Sequence, residues 1–136
     1  SLLSGKRILL AEDHPLNVQV AVKLLQKQGC IVSVADNGEA AVRIFRDSPS
    51  DYYDAVLMDI RMPVMDGLAA TRAIRSLSRR DAHTVPIIAM TANAYEEDAE
   101  KSRQAGMNAH LSKPIEPKVL FETLYRFLKE DHPVIK

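Results

Sequence analysis

The sequence predicts an α/β fold in which a parallel β-sheet is covered by helices on both faces. Short apolar segments alternate along the chain with segments of helical periodicity, as in β-α-β architectures. The short segments are mainly continuous apolar runs rather than alternating patterns, which indicates strands that are buried on both faces. Five segments of this kind occur, and a helical pattern follows each of them: residues 8–11, 31–35, 55–58, 85–90 and 109–112.

Turn residues mark where the predicted helices begin and end. Pro15 suits the first turn of helix one, and Gly29 suits its C-terminal cap. The fourth helix, predicted over residues 94–105 with Gly106 as its cap, consists mostly of alanine and charged residues. Because it offers little apolar surface for burial, we expect this helix to be weakly anchored. The remaining helices are predicted from Gly38 onward, around Leu68, Thr71, Ile74 and Leu77, and from Pro117 onward.

The composition is that of one globular domain. Apolar residues make up 46% of the chain and charged residues 26%, so disorder is not expected. Lysine plus arginine equals aspartate plus glutamate at 18 each, so we expect no general attraction to nucleic acid or to a membrane surface. No apolar segment reaches the roughly 20 residues of a membrane span. The single cysteine, Cys30, excludes an internal disulfide and favours a cytoplasmic location.

Chemically useful side chains follow four of the five predicted strands. Glu12 and Asp13 follow the first strand, and Asp59 ends the third. Thr91 and Lys113 follow the fourth and the fifth. Ligands of open parallel sheets bind at the carboxyl ends of the strands, so these side chains are expected to meet there. Clustered carboxylates call for a hard cation such as Mg²⁺, and a lysine can hold a phosphate oxygen. The pattern predicts phosphoryl transfer to a carboxylate.

At these positions the chain resembles the response-regulator receiver domains of two-component signalling, over about residues 6–128. The resemblance implies a flavodoxin-like (βα)5 three-layer sandwich with a five-stranded parallel sheet of order 2-1-3-4-5. It rests on five motifs taken together: Glu12-Asp13, Met58-Asp59, Met62-Pro63 with Asp66-Gly67, Thr91-Ala92 and Lys113-Pro114.

The resemblance also implies roles for single residues. Asp59 is the phosphoacceptor that becomes a 4-aspartylphosphate. Asp13 and Asp59 bind Mg²⁺, or Mn²⁺, through their side chains, and Arg61 contributes its backbone carbonyl. Glu12 acts on the metal through a bound water.

Further implied roles concern the phosphoryl group once it is attached. Lys113 contacts it, and Thr91 moves toward it as a switch residue. Arg61 and Asn93, each two residues after a site residue, tune its lifetime. The bond between Lys113 and Pro114 is expected to be cis.

His110 departs from the family pattern, which often has Tyr or Phe three residues before the lysine. Imidazole is smaller and polar, and it titrates near neutral pH. His110 is therefore either a switch residue that acts with Thr91 or a partly buried packing residue. Phosphorylation is expected to bias the face formed by the fourth helix, the fifth strand and the last helix.

Three stretches, residues 13–17, 90–94 and 106–115, resemble receivers of hybrid sensor histidine kinases. Residues 1–136 are then a single receiver domain with a core of about 6–130, a linker remnant at 1–5 and a tail at 131–136. The expected partners are a histidine kinase core and a histidine phosphotransfer domain. The isolated domain would catalyse its own aspartyl phosphorylation and dephosphorylation, and its parent would be a phosphotransferase, cytoplasmic or anchored in the inner membrane. A stand-alone single-domain response regulator is the alternative.

Two other functions fit the sequence less well. A flavodoxin-like nucleotide or flavin binder needs a glycine-rich phosphate loop after the first strand, where Glu12 and Asp13 would instead repel phosphate. An interaction module without phosphorylation would not need the complete set of acids, threonine and lysine.

One set of arginines is interpreted as solvated side chains and not as a nucleic-acid surface: Arg72, Arg75, Arg79, Arg80 and Arg103.

Overall fold

A computed structural model describes residues 2–92 and 99–128. Within these residues no helix is both long enough and apolar enough to cross a membrane. The elements run in the order β1 (Arg7–Ala11), α1 (Pro15–Lys27), β2 (Ile31–Ala35), α2 (Gly38–Asp47), β3 (Ala55–Asp59), α3 (Gly67–Arg75), α4 (Arg80–Thr84), β4 (Ile87–Thr91), α5 (Ala99–Ala105), β5 (Ala109–Ser112) and α6 (Pro117–Leu128).

The five strands form one parallel sheet in the order β2-β1-β3-β4-β5, so the predicted fold class and strand order are confirmed. The register aligns the carboxyl ends of the strands. Ala11 at the end of β1 pairs with Ala35 of β2 and Met58 of β3. Thr91 at the end of β4 pairs with Ser112 of β5. The residues that follow these strands therefore share one edge of the sheet, which we call the carboxyl edge.

Successive residues of each strand enter different layers, because side chains alternate between the faces of a sheet. In β1, Ile8 and Leu10 pack into the layer beneath α1 and α6, whereas Leu9 packs into the layer beneath α2 and α3. The first layer includes Leu25, Leu57, Ile88, Leu111 and Leu124, and the second includes Phe45, Val56, Ile74, Ile87 and Ala89. All five residues of β3 and of β4 are buried, including the polar Asp59 and Thr91 at their ends.

The expected helix boundaries are largely confirmed. Pro15 occupies the first turn of α1, and Gly29 follows its cap with φ +86°. Gly106 follows α5 with φ +111°. Helix α5 buries only Ser102 and Ala105 among its described residues, which fits the expected weak anchoring. Residues 94–98 of the predicted helix lie outside the described residues.

Several boundaries and one element differ from the sequence prediction. Strand β4 begins at Ile87 rather than at residue 85, and α3 ends at Arg75, so Leu77 lies beyond it. The short helix α4 was not predicted, because five residues carry no apolar periodicity that could reveal a helix. It is held instead by contacts with distant segments.

Arg79 provides most of those contacts, and its prediction as a solvated residue was wrong. Its guanidinium pairs with Asp81 at 2.7 Å, and the two side chains are 16% and 5% exposed. It also donates to the carbonyls that follow α2, including Ser48 and Pro49, each at 2.9 Å. These bonds satisfy carbonyls at a helix C-terminus, which otherwise lack partners. The Asp81 hydrogen bonds and ion pair with Arg79 keep the pKa of Asp81 below its usual value, although burial alone would raise it.

Arg75 was also predicted to be solvated, and it too is engaged. Its guanidinium donates to the carbonyl of Gly106 at 2.7 Å, to the carbonyl of Ala82 at 3.1 Å and to Asn108 at 3.0 Å. Burial lowers the pKa of this guanidinium. Arg75 thereby connects α3 to α4 and to the turn between α5 and β5.

The amino-terminal residues belong to the folded domain, so the core begins before residue 6. Leu3 is fully buried in the α1–α6 layer, and Gly5 donates its N–H to the carbonyl of Gly29 at 2.8 Å. Cys30 is buried beside Leu3, as expected of a small apolar residue. Leu3, within the expected linker remnant, therefore packs with the core, and the assignment of residues 1–5 to a linker stays a prediction. The tail predicted at residues 131–136 lies outside the described residues.

Candidate active site

The sheet brings four of the predicted residues to the carboxyl edge. Glu12 directly follows β1, and its N–H bonds the carbonyl of Ala35 at 3.0 Å. Asp59 and Thr91 are the last residues of β3 and β4. Lys113 directly follows β5, and its N–H bonds the carbonyl of Thr91 at 2.9 Å. Backbone pairing therefore places all four side chains at one edge.

Lys113 connects two buried carboxylates at this edge. Its Nζ lies 3.0 Å from Oε1 of Glu12 and 3.1 Å from Oδ2 of Asp59. Glu12 and Asp59 are 2% and 3% exposed. Burial alone would lower the pKa of Lys113, but its bonds to the two carboxylates outweigh that effect and raise it. Lys113 is therefore protonated at neutral pH.

The two carboxylates differ in their pKa. Burial and the negative charge of Glu12 raise the pKa of Asp59 from 3.8 to about 6, against the opposing effect of Lys113. Burial would also raise the pKa of Glu12, but the His14 N–H at 3.1 Å and the Lys113 ammonium outweigh it and lower the pKa. Glu12 therefore ionises at lower pH than Asp59. Ionising Asp59 as well places a second negative charge in the same buried site.

This difference predicts that Asp59→Asn is more stable than the wild type without divalent cations. The raised pKa means that the folded protein binds a proton more readily than the unfolded chain. Stability therefore falls as the pH rises from about 4 to about 6, and the full cost persists above that range. At pH 7.5 in EDTA we expect a gain of about 1–3 kcal/mol for Asp59→Asn, measured by urea unfolding. The gain should largely disappear at pH 4, and a gain that does not depend on pH would contradict the electrostatic cause.

The local charge balance fits a divalent cation. Glu12, Asp13 and Asp59 contribute three carboxylates, and Lys113 contributes one ammonium. Oxygen atoms of Glu12 and Asp13 lie within 4.8 Å of each other and of a ring nitrogen of His14. Carboxylate oxygens are the preferred ligands of Mg²⁺. Asp13 also lines an open cleft together with residues 60–63, which brings it to the loop after β3. The donor set therefore suits Mg²⁺.

The loop after β3 is tied to Asp59 from both ends. The Arg61 N–H donates to Oδ1 of Asp59 at 3.3 Å. Asp66 caps α3, because its Oδ1 accepts the Ala69 N–H at 2.8 Å. Gly67 then packs against the Asp59 backbone so closely that an added Cβ would lie 2.2 Å from the Asp59 carbonyl oxygen. These contacts were not predicted, although the Asp-Gly pair that begins α3 is a visible signal in the sequence.

The other predicted residues are placed as follows. Thr91 is 2% exposed at the end of β4, and the bond between Lys113 and Pro114 is cis, as expected. His110 pairs with Ala89 across β4 and β5. Its Nε2 is buried and has no hydrogen-bond partner within residues 2–92 and 99–128. Asn93 lies outside the described residues.

Comparisons with known proteins identify the class. The family model for the response regulator receiver domain matches residues 8–125. Hybrid signal transduction histidine kinase I of Dictyostelium discoideum is 39% identical over 91% of this chain, and Histidine kinase 2 of Arabidopsis thaliana is 35% identical over 94%. The chain spans 7% and 12% of the length of these two relatives.

A solved structure agrees with these relatives. The receiver domain of a sensor histidine kinase from Pseudomonas aeruginosa is 43% identical and has a TM-score of 0.83. The match covers 93% of this chain and 99% of that one, whose structure has a magnesium ion in its active-site cleft. The chain belongs to the response regulator receiver domain family. It is a receiver domain of two-component signalling, homologous to the receivers of hybrid histidine kinases.

Proposed function

We propose that Asp59 accepts a phosphoryl group from a phosphohistidine donor, with Mg²⁺ bound, and then relays the group or switches conformation. One observation carries this proposal. Buried Asp59 lies at the carboxyl edge within 3.1 Å of the Lys113 ammonium, next to the acids that follow β1. This arrangement supplies a nucleophile, a cation for the phosphoryl oxygens and ligands for a metal.

In the proposed reaction a carboxylate oxygen of Asp59 forms a bond to phosphorus, and the bond between phosphorus and the donor histidine nitrogen breaks. The electron pair of that bond stays on the imidazole, which can then take up a proton. Lys113 binds a phosphoryl oxygen while the phosphoryl group is transferred. Its present bond to Asp59 has to give way to that new contact. Hydrolysis by water returns Asp59 to its carboxylate.

The metal would be held by the side chains of Asp13 and Asp59 and the backbone carbonyl of Arg61, with Glu12 acting through a water. When bound, Mg²⁺ (or Mn²⁺) supplies positive charge to the phosphoryl oxygens. The excess of carboxylates over ammonium groups at the carboxyl edge supports this assignment. So does the magnesium ion in the cleft of the Pseudomonas aeruginosa receiver.

The response to phosphorylation is proposed to pass through Thr91 and His110. Thr91 ends β4 and is buried, so it can respond to a new group on Asp59. His110 lies on the neighbouring strand with a buried, unpaired Nε2 within the described residues, which supports a side chain that can find a new partner. Arg61 and Asn93 remain the residues proposed to set the lifetime of the phosphoryl group.

The proposed donor is a histidine kinase core or a histidine phosphotransfer domain, and α1 offers a surface for it. Leu16 and Val20, one turn apart on α1, are 70% and 47% exposed. Together with Pro114 and Ile115 they line an apolar groove that reaches Lys113. An apolar helix face of the donor would bury these side chains and bring its phosphohistidine to the carboxyl edge.

We further propose that the chain is the cytoplasmic receiver of a hybrid sensor histidine kinase, a phosphotransferase. The two histidine kinase relatives support this proposal. A stand-alone response regulator is the alternative. The sequence of the complete gene decides between them, because only the first requires a kinase core in the same protein.

The phosphoacceptor is tested with Mg²⁺ and a small acyl phosphate, followed by intact-protein mass spectrometry. We expect the wild type to gain one phosphoryl group and Asp59→Asn to gain none, because an amide cannot form the acyl phosphate. Omission of Mg²⁺ should abolish the gain in the wild type. Asp47→Asn is the matched control, because Asp47 is exposed at the end of α2, and it should be phosphorylated as the wild type is. Equal phosphorylation of Asp59→Asn would reject the assignment.

A further inference from the structure

The N-terminus of α2 contacts the loop that carries the proposed metal ligand Arg61. Gly38, the first residue of α2, donates its N–H to the carbonyl of Met65 at 3.0 Å. No side chain separates the two backbones. A Cβ added to Gly38 would lie 2.2 Å from the Met65 carbonyl oxygen and 3.0 Å from the carbonyl oxygen of Asp66. The first residue of α2 therefore packs directly against the backbone of the loop after β3.

The loop needs such a support because part of it is strained. Val64 has φ +70°, in the left-handed region that β-branched residues rarely adopt. Its side chain is 77% exposed, so packing of that side chain does not hold the conformation. Two backbone bonds lie beside it: the Met65 N–H donates to the Pro63 carbonyl at 2.7 Å, and the Gly38 N–H donates to the Met65 carbonyl. A strained conformation persists where its surroundings over-determine it.

We infer that Gly38 is a positioning residue for the metal and phosphorylation site, acting through the loop of residues 60–66. The loop is fixed at its far end by the direct contact of Gly67 with the Asp59 backbone. It is held two residues earlier, at Met65, by the bond from Gly38. Between β3 and these two supports lies Arg61, whose N–H bonds Asp59 and whose carbonyl is a proposed ligand. The inference rests on the proposed function, because it concerns the placement of the proposed ligands.

The effect of a side chain at Gly38 is steric and does not arise from backbone strain. Gly38 has no left-handed φ, so alanine can adopt its conformation. The contact at 2.2 Å would force the Met65 carbonyl to move by roughly 1 Å to reach a normal separation. Such a movement breaks the bond between Gly38 and Met65 and shifts the loop that carries Arg61.

The test is the affinity for Mg²⁺, measured by calorimetry on wild type and Gly38→Ala. We expect the dissociation constant to rise about tenfold or more, because errors of this size in the placement of ligands are costly. A second readout uses the metal-free protein: the NMR amide resonance of Arg61 should shift. Gly29→Ala is the matched control. Gly29 follows the C-terminus of α1, away from the carboxyl edge, and a Cβ there would lie 2.9 Å from Ser4 Oγ. The variant should therefore lower stability without changing the affinity for Mg²⁺.

A milder pair of variants keeps the inference testable if Gly38→Ala does not fold. Asn37→Ala removes the cap at the start of α2, where Oδ1 accepts the Ala40 N–H at 2.8 Å. Ser48→Ala removes a bond to Phe45 at 2.6 Å at the other end of the same helix. Asn37→Ala should weaken Mg²⁺ binding about threefold, because a frayed first turn of the helix releases Met65. Ser48→Ala should not weaken it.

The outcomes separate this inference from the proposed function. A wild type that binds no Mg²⁺ and takes up no phosphoryl group overturns the function. A wild type that does both, with unchanged Mg²⁺ affinity in folded Gly38→Ala, overturns only the role of Gly38. If Gly38→Ala does not fold, unchanged affinity in Asn37→Ala has the same meaning.

Discussion

Replacing Lys113 with methionine is expected to destabilise the domain by about 2–4 kcal/mol at pH 7.5 in EDTA, because breaking a buried ion pair leaves uncompensated charge. Methionine preserves most of the apolar side-chain length but removes the ammonium between Glu12 and Asp59. The two buried carboxylates then repel each other without compensation. The measurement is urea unfolding followed by circular dichroism.

The pH dependence and the metal dependence identify the cause. Without Lys113, the pKa of Asp59 rises beyond about 6, so the folded variant takes up a proton. The stability loss should therefore be largest above pH 7 and should shrink below pH 5. Added Mg²⁺ should restore part of the loss by binding the folded state. Lys118→Met, at an exposed position of α6, is the control and should change stability little. An equal loss in both variants would contradict the ion-pair explanation.

Replacing Arg79 with methionine is expected to cost about 3–5 kcal/mol, the usual effect of removing one partner from a buried ion pair. The change leaves Asp81, which is 5% exposed, without its cation. It also removes the guanidinium bonds to the carbonyls of Ser48 and Pro49, of which Pro49 keeps the Tyr52 N–H at 3.1 Å. Urea unfolding at pH 7 measures the loss.

Two comparisons test the origin of that loss. Arg80→Met changes an exposed arginine next in sequence and should cost little. The pKa of Asp81 is lowered, so the stability from this pair is fully present above the ordinary carboxyl pKa of 3.8. It is lost as the pH falls through the lower value of the folded protein. The difference between wild type and Arg79→Met should therefore persist down to about pH 4. A loss that vanishes already at pH 6 would exclude Asp81 as its source.

Much of the fold could be predicted because it follows from local patterns. The strands consist largely of apolar residues, and Pro15, Gly29 and Gly106 mark helix ends through backbone preferences that act within a few residues. The short helix α4 could not be predicted in this way. Arg79 looked like one of several solvated arginines, and only its distance from Asp81 and from the end of α2 shows its role.

The candidate site could likewise be predicted only in part. The sequence by itself determined which residues follow the strands, and parallel pairing obliges Glu12, Asp59 and Lys113 to share one edge. It could not determine that Lys113 already pairs with both carboxylates. Nor could it show that burial and the charge of Glu12 raise the pKa of Asp59 while the His14 N–H and Lys113 lower that of Glu12. It also could not show that Gly38 contacts Met65, 27 residues further along the chain. The tertiary structure decided these points, because ion pairs and backbone contacts depend on distances that no local pattern of side chains records.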